Sequence, residues 1–253
     1  MNKACLIPPT EPLISIITTV FNGAAYLEQA ILSVISQDYR NIEYIIIDGG
    51  STDGTLDIIR KYQDNIGYWL SERDRGIYDA MNKGISHAKG EWFYFLGADD
   101  ALRTPQTLAC LMPYLTDDHD LVCGGVCYPD GRVEWPKLSP RTLIHNTIHH
   151  QGAFYNRRLF EHWRYDSELS AVADYELNLI IYLKNMKTIM LRELIAFCRD
   201  GGVSRNNFNV MSSEINIIRK RHVGPAADFV LRTIFFLELG LYKLVYKVNT
   251  KQC

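Results

Sequence analysis

The feature that most restricts the fold of this chain is an alternation of apolar runs with helix-patterned stretches, each run ending in a polar loop. Residues 13–20 form a β-branched run that reads as a buried strand. Phe21-Asn22-Gly23 breaks it. A helix pattern follows over 24–37, with Leu27, Ile31, Val34 and Ile35 on one face. A second buried strand over 42–47 leads into Asp48-Gly-Gly-Ser-Thr-Asp-Gly54, and a helix over 55–63 follows. Tyr68-Trp-Leu70 reads as a third strand, 77–88 as a helix and 92–96 as a fourth strand. The alternation predicts an α/β fold: a mostly parallel central sheet with helices on both faces. Ligands of such sheets sit at the strands' carboxyl ends. Three loops therefore converge there: Thr19-Val-Phe-Asn22, 48–54 and Gly97-Ala-Asp-Asp100.

The pattern loosens after Pro105. Strands are expected within 121–135 around a Pro129-Asp-Gly131 turn, then a His-rich loop, a helix over 174–183, a strand over 189–195 and a C-terminal helical tail. A length of 253 residues suits one α/β domain, and 47% hydrophobic with 22% charged residues is ordinary for a globular chain. A net charge of -2 argues against a general nucleic-acid binder. The six cysteines, Cys5, Cys110, Cys123, Cys127, Cys198 and Cys253, make no pair of closely spaced pairs for zinc. Their scatter and the absence of an apolar leader in 1–12 give a cytosolic expectation.

Asp99 and Asp100 follow the apolar strand 92–96. Two carboxylates at a strand end can hold a hard divalent cation against a diphosphate. Equally, Asp100 can cap a helix beginning near Pro105. The loop at Asp48 suits a close backbone approach to a nucleotide, and it is also a good turn in which Ser51 or Thr52 caps the next helix.

The loops together resemble family 2 glycosyltransferases of the GT-A, Rossmann-like fold. The matching pieces are Thr19-Val-Phe-Asn22, Asp48-Gly-Gly-Ser-Thr-Asp-Gly-Thr55, Ser71-Glu-Arg-Asp-Arg-Gly-Ile-Tyr-Asp-Ala-Met-Asn82 and Gly90-Glu-Trp-Phe-Tyr-Phe-Leu-Gly-Ala-Asp-Asp100. The resemblance implies a nucleotide-diphosphate-sugar donor, usually a UDP-sugar, and inversion at the anomeric carbon. It implies that Thr19 and Asp48 line the nucleoside pocket, that Asp99 lies near ribose and metal, and that Asp100 binds Mn2+ or Mg2+. Two positions depart from the pattern. Gly49 stands where many members have a second aspartate that contacts the base, and Gly97 stands where many have another acid.

In the second half, the family supplies a carboxylate base at the start of a helix. The matching stretch, Val172-Ala-Asp-Tyr-Glu176, offers Asp174, with Glu176 as competitor. An acid at a helix start also satisfies backbone N–H groups without any catalytic role. His150 and Gln151 are acceptor-side candidates, and His145 and His149 share a face if their stretch is helical. Arg73, Arg75 and Lys83 can balance phosphates or form a solvated face, and Trp92, Trp135 and Trp163 can stack on sugars or pack the core.

The division expected is an extension over 1–12, a nucleotide-sugar-binding half over 13–105, an acceptor-binding half over 106–203 and a tail over 204–253. Within the resemblance, Tyr78-Asp-Ala-Met-Asn82 is similar to bacterial enzymes of O-antigen, capsule and exopolysaccharide synthesis, implying a saccharide acceptor on a lipid carrier. The competing classes are a sugar-phosphate nucleotidyltransferase and a non-catalytic nucleotide-sugar-binding module. The tail is apolar over 229–248, with Arg232, Lys243 and Lys247 on one helical face at ~100° per residue. Such a helix lies in a membrane interface or packs on the catalytic domain or a second copy.

Overall fold

The computed structural model describes residues 11–199 and 208–234. Its strands are β1 (Ile14–Val20), β2 (Ile42–Asp48), β3 (Tyr68–Ser71), β4 (Trp92–Gly97), β5 (Ala101–Leu102), β6 (Leu121–Cys127), β7 (Val133–Glu134), β8 (Ala153–Asn156) and β9 (Thr188–Phe197). Its helices are α1 (Leu27–Ile35), α2 (Thr55–Lys61), α3 (Ile77–His87), α4 (Thr107–Leu111), α5 (Ala173–Leu183) and α6 (Phe208–Val223). Residues 225–234 are also helical.

One sheet joins the strands in the order β3-β2-β1-β4-β8-β6-β9-β5, with β7 on β6. The first four strands pair in parallel, as the strand–helix alternation requires. β8 then runs antiparallel to both β4 and β6, and β6 pairs in parallel with β9. The order reverses between β1 and β4, and beyond the carboxyl ends at such a point sheets of this kind form their ligand crevice.

Alternation along each strand supplies two cores. Ile17, Ile45, Ile47, Phe93, Phe95 and Tyr155 face α3, α5 and α6. Ile14, Ile16, Tyr44, Ile46, Tyr94 and Phe154 face α1, α2 and α4. Each such side chain contributes on the order of 2 kcal/mol by leaving water. Tyr94 stacks on Phe154, its register partner across β4 and β8, with ring centroids 4.4 Å apart. Ile215 and Ile218 of α6 belong to the first core, so the front of the expected tail packs on the sheet domain.

Several elements are shorter than the sequence pattern. α1 begins only at Leu27, because Asn22 is left-handed (φ 50) and the chain turns through Gly23 first. α2 ends at Lys61 and a single 3-10 turn, Gln63–Asn65, completes it. No described helix is long and apolar enough to cross a membrane. The apolar and basic stretch from 235 onward lies outside the described residues.

Candidate active site

The first wall of the crevice is two loops stitched together. Asn22 N–H donates to Ser51 Oγ (2.7 Å), Thr52 N–H to Asn22 Oδ1 (3.0 Å) and Gly23 N–H to Thr55 Oγ1 (3.0 Å). Asp48 organises the centre. It is fully buried, and its carboxylate accepts from Gly50 N, Ser51 N, Ser51 Oγ and Ser71 Oγ. Ser51 therefore serves Asp48 rather than capping α2, and Asp53 accepts from Thr55 N at that helix's start (3.1 Å). The capping roles expected for Ser51 and Thr52 are not realised, because the nearer acid holds Ser51 and Asn22 holds Thr52 N–H. Thr19 lies between Ile47 and Gly97 in register, at the mouth of the crevice. Beside it Phe21 is 65% exposed, an aromatic ring left in water by a strand-end loop.

The acidic loop is the second wall. A Cβ on Gly97 would collide with Asp100 Oδ2 and sit 3.1 Å from Asp99 Oδ1, so the two carboxylates converge over bare backbone. Asp100 accepts from Arg199 N–H (3.1 Å) and Gln151 Nε2 (2.9 Å). It does not cap a helix; α4 starts later, with Thr107 Oγ1 accepting from Thr104 N–H. Burial pushes the Asp100 carboxyl above the ordinary carboxylate range, and the charge of Asp99 adds to this. That environment favours a cation, and two acids converging over open backbone fit Mg2+ or Mn2+ with phosphate oxygens and water completing the shell. Among the described residues no group of three or more His, Cys, Asp and Glu converges here beyond this pair.

The third wall comes from the second half. Asp174, at the start of α5, is 7% exposed. It accepts from Tyr78 Oη (3.1 Å), Asn146 Nδ2 (2.9 Å) and His150 Nδ1 (3.4 Å). Burial opposes its ionisation, but the hydrogen bond and charge of His150 and the hydroxyl of Tyr78 outweigh it and hold the carboxyl below its usual value. Glu176 points elsewhere. It takes Arg221 Nη1 (2.8 Å) and His222 Nε2 (2.6 Å) from α6 and is 3% exposed. Two positions along a helix turn a side chain by about 200°, which separates the two acids.

His150 and Gln151 thus tie the two acidic centres together, one to Asp174 and the next to Asp100. His145 and His149 do not pair, because their stretch is not helical: it runs between two 3-10 turns, Pro140–Leu143 and His150–Gly152. His149 instead meets Glu134 (2.5 Å) and His145 meets Asn146 O (2.9 Å). Trp92 is core and Trp163 packs edge-on to Phe160 and Tyr165, whereas Trp135 is 42% exposed. Arg75 and Lys83 spend their charge on Asp79 and neighbouring glutamates. Phe21, Tyr78, Asn146 and Arg199 belong to the site without having been read from the sequence. Phe21 carried a signal, an aromatic directly after a buried strand, and Tyr78 lay within the Tyr78-Asp-Ala-Met-Asn82 motif; Asn146 and Arg199 carried none, being brought in from distant segments.

The sequence model for glycosyl transferase family 2 matches residues 15–172, which ends two positions before Asp174. Relatives named PGL/p-HBAD biosynthesis glycosyltransferase, from Mycobacterium bovis and Mycobacterium tuberculosis, are 37% identical over 176 residues, covering 66% of this chain and 69% of theirs. S. aureus TarS 1-349 superposes with a TM-score of 0.63 at 20% identity over 81% of this chain and 64% of that one. Its complex with UDP-GlcNAc gives 0.64 at 18% identity, covering 83% and 71%. Pyrobaculum calidifontis mannosyltransferase PcManGT, with GDP-Man and Mn2+, gives 0.61 at 20% identity, covering 85% and 63%. The chain therefore spans less than two thirds of PcManGT and 64–71% of the TarS fragment, and these two show a shared fold. With a family model covering well over half its length and relatives of this identity, the chain belongs to glycosyl transferase family 2.

Proposed function

We propose that this glycosyltransferase moves a sugar from a UDP-sugar to a hydroxyl of a saccharide acceptor, with inversion, in the assembly of a bacterial surface glycan. The observation that carries this reading is the pair His150 and Gln151, which link Asp174 and Asp100 through adjacent residues. A base and an acidic diphosphate end so close together suit a single sugar ring between them. Asp174 takes the proton of the acceptor hydroxyl as its oxygen bonds to the anomeric carbon, on the face opposite the departing diphosphate. Asp100 and Asp99 would hold Mn2+ or Mg2+, which supplies positive charge to the leaving diphosphate. Thr19 and Phe21 border the nucleoside end, and Asp48 shapes the loop beneath it. The mycobacterial relatives are named for PGL/p-HBAD biosynthesis. Membrane contact through the C-terminal end fits an acceptor on a lipid carrier, and Phe229 and Val230 are exposed where that end begins.

The test is incubation of the chain with UDP-sugars and Mn2+ while following released UDP. Metal-dependent release that Asp100→Ala abolishes supports the reading. Undiminished turnover of that variant under chelation overturns the metal role. Pyrophosphate released from a sugar phosphate plus UTP points to a nucleotidyltransferase, and tight UDP binding without turnover to a binding module.

A further inference from the structure

Gly49 brings no side chain of its own to its loop, and the segment after β3 fills that space. A Cβ on Gly49 would lie 2.6 Å from Asp74 Oδ2, 3.1 Å from Asp74 Cγ and 3.3 Å from Phe21 Cδ2. The carboxylate of Asp74 and the exposed ring of Phe21 therefore meet over one glycine. The segment after β3 is held against this loop: Glu72 N–H donates to Asp48 O (3.0 Å), and Ser71 Oγ to Asp48 Oδ2 (2.6 Å). Gly49 N–H is fixed on Val20 O (2.8 Å), so both loops keep their relative position. Asp48 itself is buried and already accepts four hydrogen bonds.

Asp74 is only half-buried. Its Oδ1 accepts from Gly76 N–H (3.0 Å), the bond of a local turn, while its Oδ2 takes no hydrogen bond among the described residues. A turn explains one oxygen and leaves the other aimed across Gly49.

We propose that Asp74 selects the donor's nucleobase by accepting its ring N–H, replacing a side chain absent at position 49. This rests on the nucleotide-sugar reading above. A carboxylate accepts and cannot donate. It suits uracil N3–H or guanine N1–H, and it opposes cytosine N3 and adenine N1, which present lone pairs. The exposed Phe21 ring offers the same base an apolar face. Selection arises because a mismatched base leaves an acceptor facing an acceptor, with both losing water.

The experiment measures UDP, GDP, CDP and ADP binding by calorimetry in Mn2+, for the full chain and its variants. The wild-type chain is expected to favour UDP or GDP over CDP and ADP. Asp74→Asn keeps the bond to Gly76 N–H yet can present an amide N–H to the base. It should lower the preference for ring N–H bases on the order of tenfold. Gly49→Asp alone should weaken all binding, since its side chain meets Asp74. Combining it with Asp74→Ala should restore both binding and preference. Unaltered preference in Asp74→Asn overturns the proposal while leaving the donor reading intact. Failure of the double variant to regain the preference that Asp74→Ala loses overturns the replacement of position 49. A wild-type chain that binds none of the four nucleotides sinks the donor reading, and this proposal with it.

Discussion

Asp174 and Glu176 are two acids on one helix, and their partners assign them different work. Asp174 faces Tyr78, Asn146 and His150 in the crevice, whereas Glu176 is held by Arg221 and His222. Asp174→Asn is expected to cut transfer on the order of 10²–10⁴-fold with donor affinity preserved, as loss of a positioned base does. Glu176→Gln should affect stability more than the chemical step; a larger rate loss in Glu176→Gln would reverse the assignment. The pH response follows from the depressed pKa of Asp174. A carboxyl held low stabilises the fold above its unfolded pKa, and that share is lost as pH falls through the folded value. His150 is the main lowering influence, so His150→Ala should raise the Asp174 pKa. The acid limb of kcat then moves to higher pH. A limb that stays in place would mean another group sets it.

Among the elements, α6 decides how the start of α5 is held. Glu214 on α6 is buried and accepts from Ser170 N (2.7 Å), Ser170 Oγ (2.8 Å), Ala171 N (2.9 Å) and Val172 N (3.1 Å). These donors lie just ahead of Asp174, so Glu214 fixes the approach to the helix that carries it. Glu214→Ala leaves several buried N–H groups unpaired and should cost on the order of 3 kcal/mol in urea denaturation. It should also lower kcat with little change in donor KM, and Glu214→Gln should recover part of both. A variant that loses stability alone, with kcat intact, would limit Glu214 to scaffolding. α6 in turn anchors the next helical run, because buried Arg219 pairs with buried Asp228 (2.9 Å) and reaches Ile144 O (3.0 Å).

For the whole molecule, that pair sets where the C-terminal end can be cut. Truncation ahead of Asp228 would strip that carboxylate and leave the Arg219 charge buried without its acid, which costs several kcal/mol. Deletion of 235–253 spares the pair while removing Lys243 and Lys247. The full chain is expected to sediment with anionic liposomes at low salt, and the shortened chain to bind less while melting at a similar temperature. A full chain that stays in the supernatant would leave the apolar end to a protein contact instead.

The first half of the chain was legible because its information is local. Strands 13–20, 42–47 and 92–96 carry runs rich in β-branched and aromatic residues, and their ends place Thr19, Asp48, Asp99 and Asp100 at one edge of the sheet without reference to the rest of the chain. The place of Asp174 at a helix start was legible in the same way. What no local pattern carries is which side chains meet. Asp74 fills the space over Gly49, Tyr78 and Asn146 reach Asp174, and Arg221 draws Glu176 away from the crevice. Each of these contacts joins segments from different parts of the chain. Hydrophobic periodicity specifies the face a residue occupies, but only packing of the finished sheet and helices brings two such residues within hydrogen-bonding distance.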